Sequence, residues 1–244
     1  MPPRMARAAL CAKFLRAVEI GFRISRSSAS VCFVQTAFIL ATVFLGGFAV
    51  MVLEIVGARY LLKDFGGAFY VWTSQIGVVL VALSAGYYVG GRLADRSQRA
   101  DILSWLLLCA GGIIAGIPHF AQRLLDWIVL RHPEGEVIPQ FWIKVDPALG
   151  SAVVFFLPCF VLAMISPYMI RLAAEKLEHV GSVSGKIYAA STVGSVAGVF
   201  VSGYFLLDRF ELGTIFRSTG LLTMLLGGLC WFIGWNRTPL KPTR

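Results

Sequence analysis

Apolar and polar positions are segregated into long blocks along this chain and do not alternate with a short period. Six stretches, Ser27–Leu53, Phe65–Gly91, Ile102–Gln122, Pro147–Ile170, Ile187–Leu207 and Ser218–Asn236, contain no Asp, Glu, Lys or Arg, and each is 19 to 27 residues long. A hydrocarbon layer about 30 Å thick is crossed by roughly 20 residues of α-helix, so each block predicts one membrane span. Closed barrels are the other way to satisfy every backbone group in lipid, but their strands alternate apolar and polar residues over about ten positions. The runs Val78–Leu83 and Val153–Val161 are continuous instead. The expected fold is an all-α polytopic membrane protein, six transmembrane helices within residues 31–236.

Composition sharpens this picture. Hydrophobic residues make up 57% of the chain and charged residues 14%, with a mean hydropathy of +0.76. A water-soluble core of that size would lack the polar residues to coat it. The net charge of +9 would suit nucleic acid, but its distribution argues against that partner. With six spans and both termini on one side, that side holds 15 basic residues and the other seven; with acids included, the balance is +10 against −1. The positive-inside rule then places both termini in the cytoplasm. Anionic lipid headgroups become the expected partner of the basic side chains.

Residues 1–30 contain six basic residues and one acid, Glu19. No apolar core precedes Ser27, so a cleavable secretory signal is not expected. Leu10, Phe14, Ala17 and Ile24 share one helical face and Lys13, Arg16 and Arg23 the other, which suits an interfacial helix on the inner leaflet; a disordered basic tail or an organelle transit peptide are the alternatives. Residues 237–244 would be a short cytoplasmic tail. The one sizeable gap, 123–146, reads as an outer loop. Phe120, Leu124, Leu125, Trp127 and Ile128 there predict a short helix resting on the membrane surface.

Candidate chemistry is sparse. The five cysteines are isolated and the three histidines lack ligand-spaced neighbours, so neither a metal nor a cofactor is expected. No nucleophile–base pair points to an enzyme. Small residues recur at four-residue spacing in Gly86 and Gly90, in Gly112 and Gly116, and in Ala190, Gly194, Gly198 and Ser202, a pattern that lets helices approach closely. Glu54 closes a long apolar run, with Arg59 five residues on. Near the outer face it could bind a cation or proton, or form an ion pair with Arg59 that Asp208 and Glu211 could join. Gly91–Arg99 reads as an inner loop in which Asp95 caps a helix end and arginines such as Arg96 grip acidic side chains or headgroups. It resembles the G-x-x-x-D-R loop of major facilitator transporters. Ser166-Pro167-Tyr168, with Arg171 just beyond, predicts an interruption near the end of the fourth span.

Several segments together resemble a known family. They are Gly46–Glu54 with Arg59, Tyr70–Ser74 leading to Gly90–Arg96, Ser166–Tyr168 with Arg171, and Gly185–Ser195. In this order they are similar to the membrane half of bacterial fused major facilitator/spermidine synthase-like proteins. The resemblance covers Thr42 to about Gly228. It implies a bundle like half of a major facilitator transporter. In fused members a soluble aminopropyltransferase-like domain follows, and no sequence is left for one after Trp235, so spermidine synthase activity is not implied. The expected function is a non-catalytic integral membrane subunit or anchor that organises a partner protein or complex. The alternative is a half-size transporter of polyamines or other organic cations working as a homodimer.

Overall fold

The structure, a computed structural model, describes residues 35–97, 100–131, 139–173 and 180–235. The basic leader (1–30), the tail (237–244) and residues 132–138 of the expected outer loop lie outside the described residues. The chain divides into two units, Met1–Phe38 and Ile39–Arg244, and the second holds the bundle.

Six helical spans are long and apolar enough to cross a membrane, and no strand occurs among the described residues. They are α1 (Gln35–Phe65), α2 (Ala68–Arg96), α3 (Ala100–Val129), α4 with α5 (Gln140–Ala163 and Ile165–Ala173), α6 with α7 (Val180–Val201 and Leu207–Arg209), and α8 (Leu212–Trp235). Between α6 and α7, Ser202–Leu206 winds as a π-helical turn. The Ser202 hydroxyl donates there to the Gly198 carbonyl at 2.7 Å.

Helix ends depart from the expected boundaries in three places. α1 continues past Leu53 to Phe65, so Glu54, Arg59, Lys63 and Asp64 are helical. Phe120, Leu124, Leu125, Trp127 and Ile128 do not form a separate surface helix; they are the last turns of α3. A hydrogen-bonded helix does not stop at its first charge, because an α-helix satisfies its own backbone in lipid and headgroups alike. The break in the fourth span falls at Met164, just before the Ser166-Pro167-Tyr168 triplet. Proline at 167 cannot donate to the Ala163 carbonyl, and the Met164 N–H bonds Val161 in a tightened turn at 3.1 Å. α5 then restarts with Pro167 in its first turn, where a missing donor is tolerated.

The helices pack around a filled centre. Tyr168, Phe155 and Phe216 are fully buried, with the two phenylalanine rings 6.0 Å apart and Tyr60 edge-on to Phe216 at 5.7 Å. α2 packs along α4, and α3 along α8. α1 and α6 run parallel in close contact. A Cβ on Gly194 would collide with the Phe44 carbonyl, and the Ser195 hydroxyl donates to the Gly47 carbonyl at 3.3 Å. Gly198 lies against Phe48 in the same seam, while Gly86 and Gly90 lie against Phe160 and Met164 of the fourth span. On α3 the contact is displaced by one residue. Gly111 meets Gly220 and Met224 of α8, whereas a Cβ on Gly112 would stand 3.5 Å from Met224 and Gly116 faces Phe120 of its own helix. α1 turns into α2 through Gly66 and Gly67, both at positive φ (59° and 33°), a conformation that disfavours any side chain.

Exposed aromatic residues mark two levels. At the end where α1 finishes, here the distal end, are Phe69, Trp127, Phe141 and Tyr204. At the opposite, proximal end are Tyr88, Trp105, Tyr188 and Trp231, with Trp105 and Trp231 6.3 Å apart. Nineteen residues separate Phe69 from Tyr88 on α2, about 28 Å of helix. That is the thickness of a hydrocarbon core flanked by aromatic belts.

Candidate functional site

Polar side chains gather at three heights in the bundle. At the distal end Gln122 of α3 is a hub. Its amide donates to Asp64 at 3.0 Å and Asp126 at 2.9 Å, and its carbonyl accepts from Lys63 and Tyr60, each at 3.4 Å. Lys63 also lies 4.1 Å above the Tyr60 ring. Arg131 reaches Asp146 at 2.5 Å and stacks over Trp142 at 4.2 Å. These contacts fasten α1 to α3 and α3 to α4 where the chain leaves the apolar layer.

Inside the apolar layer sit Glu54, Gln75 and Ser151. Glu54 precedes the end of α1 by eleven residues, about 16 Å, so it lies three turns inside the helix and not beside its outer edge. It is partly buried, and among the described residues it forms no hydrogen bond or ion pair. Arg59 is exposed and lies five residues on, about 140° around the helix, so the two cannot meet on one face. Asp208 and Glu211 are exposed at the distal end and do not join Glu54 either. Cys159, fully buried on α4, lies within electrostatic reach of Glu54.

One turn beyond Glu54, Gly57 leaves room for the Gln75 amide of α2; a Cβ at Gly57 would stand 2.6 Å from Gln75 Nε2. Gln75 and Ser151 are wholly buried. The Ser151 hydroxyl donates to Gln75 Oε1 at 2.6 Å, and Gln75 Nε2 has no partner. Whichever way the amide is turned, one of its polar atoms stays unpaired. The contact of Phe48 with Gly198 also sets the π-helical turn at 202–206 level with Glu54, since α1 and α6 run parallel. Neither Gln75 nor Ser151 stands among the expected site residues. A lone amide inside a charge-free block was the signal available, since a buried amide in lipid needs partners on a neighbouring helix.

At the proximal end, Gly91–Arg96 is not a loop but the last turns of α2. Asp95 does not cap a helix. Its Oδ1 forms an ion pair with Arg171 Nε of α5 at 3.2 Å, and the helix closes through the Ser97 N–H on the Leu93 carbonyl. The Tyr168 hydroxyl donates to the Ser97 carbonyl at 2.8 Å, a second tie from α5 to the end of α2. Arg92 stacks over Tyr88 at 4.4 Å, and Arg92, Asp95 and Arg96 line a surface groove with Tyr88, Val89 and Leu93. Of the expected site residues, the structure therefore joins Asp95 to Arg171, sets Arg96 in the groove with Asp95, and leaves Glu54 and Arg59 apart.

No family model, curated protein or solved structure matches the chain. Among the described residues no cluster of His, Cys, Asp and Glu is arranged to hold a metal.

Proposed function

We propose that this multi-pass membrane protein is a non-catalytic subunit or anchor that organises a partner in the bacterial inner membrane. Its termini would be cytoplasmic, and it would be related to the membrane half of fused major facilitator/spermidine synthase-like proteins. One observation carries this reading: the bundle's centre is filled, and two spans are left mostly uncovered. Of their apolar windows, the α2 span buries 22% and the α6–α7 span 17%, against 61% for the α4–α5 span. The two spans come within electrostatic reach of one another at Tyr87 and Tyr188, while each packs mainly on other helices. Leu80, Val81 and Tyr88 of α2 and Val193, Val196 and Phe200 of α6 are exposed along them. Exposed apolar helix faces of this kind suit a partner's transmembrane helix as well as lipid. The test is purification in mild detergent with a photo-crosslinker at Val81 or Val193. A stoichiometric membrane partner joined at those positions is the expected result, and a chain crosslinked only to lipid overturns the reading.

A second reading, a homodimeric half-size transporter of organic cations, draws on Glu54. An acid three turns inside a span, level with a π-helical turn and one turn from an unpaired amide, is the kind of group that binds a cation or a proton. Amine-driven flux in proteoliposomes holding only this chain, lost in Glu54→Gln, would decide for the transporter and against the anchor.

A further inference from the structure

We infer that the groove at the proximal end of α2 is a binding site for the headgroup of an anionic phospholipid. This rests on the chain spanning a membrane and not on the subunit or transporter reading, so it can fail or stand separately from them.

Tyr88, Arg92 and Arg96 are spaced i, i+4 and i+8 and form one stripe down the last turns of α2; all three are exposed. Val89 and Leu93 form the stripe beside it, and with Asp95 these residues line a shallow, open groove on the face of α2. Its charge is unbalanced. Arg171 answers Asp95 at 3.2 Å, which leaves Arg92 and Arg96 without a carboxylate partner among the described residues.

Height along the helix matches a lipid. Tyr88 stands about 28 Å from Phe69, at the edge of the hydrocarbon. Arg92 and Arg96 follow about 6 Å and 12 Å further out. Headgroup layers add roughly 5–8 Å on each side of the hydrocarbon, so a phosphodiester comes level with Arg92 and within reach of Arg96. The guanidinium of Arg92 lies with its carbon 4.4 Å from the centre of the Tyr88 ring. Stacking uses the face of the guanidinium and leaves its edge N–H groups to donate to phosphate oxygens as a fork. Val89, between Tyr88 and Arg92 in height, gives the groove an apolar side at the hydrocarbon edge where an acyl chain would begin, and Leu93 lines it beside the arginines. Two cations, one of them stacked on Tyr88, beside apolar Val89 at the hydrocarbon edge fit a lipid better than a soluble anion.

Native mass spectrometry tests this on the full chain, purified in mild detergent and equilibrated with mixed phosphatidylglycerol and phosphatidylcholine. The expected result is one retained lipid with phosphatidylglycerol preferred. Arg92→Gln/Arg96→Gln should reduce that preference by roughly fivefold per arginine removed. Arg123→Gln/Arg217→Gln, at the distal end, should leave it unchanged. Equal retention of the two lipids by the unaltered chain overturns the inference, as does full preference in the Arg92→Gln/Arg96→Gln chain. Should that double variant fail to fold, the unaltered chain decides. Inorganic phosphate that displaces the lipid at millimolar concentration assigns the groove to soluble phosphate and overturns the lipid; retention through that challenge supports it.

Discussion

The hydroxyl of Ser151 on α4 donates to the Gln75 side chain on α2 at 2.6 Å, and both side chains are wholly buried. This bond joins two helices inside the apolar layer, yet it leaves Gln75 Nε2 unpaired. Removing the donor alone should therefore cost more than removing both groups. Ser151→Ala is expected to destabilise by about 0.5–2 kcal/mol, the range for interhelical hydrogen bonds in membranes. Gln75→Leu/Ser151→Ala should be nearly neutral. Unfolding in mixed SDS micelles measures both, and a double variant less stable than Ser151→Ala would contradict the argument.

The seam between α1 and α6 has no room for a side chain at Gly194, because its Cβ would overlap the Phe44 carbonyl. Gly194→Ala is expected to lose about 1–3 kcal/mol, the usual cost of overpacking. Gly112→Ala, where the nearest atom would be an ordinary 3.5 Å away, should leave the melting midpoint in detergent unchanged.

Glu54 lacks a partner among the described residues although it lies deep in α1. Neutralising an unpaired acid in that position removes a desolvation cost and breaks nothing. Glu54→Gln should keep the thermal midpoint or raise it. A fall worth more than about 1 kcal/mol would show that the carboxylate has a structural partner.

The Asp95–Arg171 pair is mostly in solvent, with side chains 74% and 43% exposed. Such pairs contribute about 0–1 kcal/mol and weaken with salt. Asp95→Asn should shift the melting midpoint little at low salt and not at all in high salt. A larger loss of function than of stability would assign Asp95 a role in the groove and not in folding.

Much of this architecture was legible in the charge-free blocks, because a helix in lipid must keep charge out over its hydrocarbon length. The same logic hid the helix ends. Lys63 and Asp64 close one block's border, yet α1 runs through them, since a helix needs no apolar residue to continue into headgroups. Glu54 was misplaced for that reason, as an edge residue when the helix had three turns left. Four-residue spacing located Gly86, Gly90, Gly194 and Gly198, each against a neighbouring helix. On α3 both Gly111 and Gly112 were available, and only the tertiary contact with α8 selects Gly111. Gln75 stayed unseen because one amide in a long apolar block carries no period. Its significance comes from Ser151, 76 residues away.

The π-helical turn at Ser202–Leu206 has a consequence for how that span divides. A wider turn inserts one residue, and each residue carries about 100° of rotation. The row of small side chains at 190, 194, 198 and 202 therefore ends at Ser202, and Leu206 takes a different azimuth. Below the turn the helix is committed to α1. Beyond it, Leu207–Arg209 leave that row, so a single one-residue deletion between 203 and 205 would swing the distal tip back into register with it.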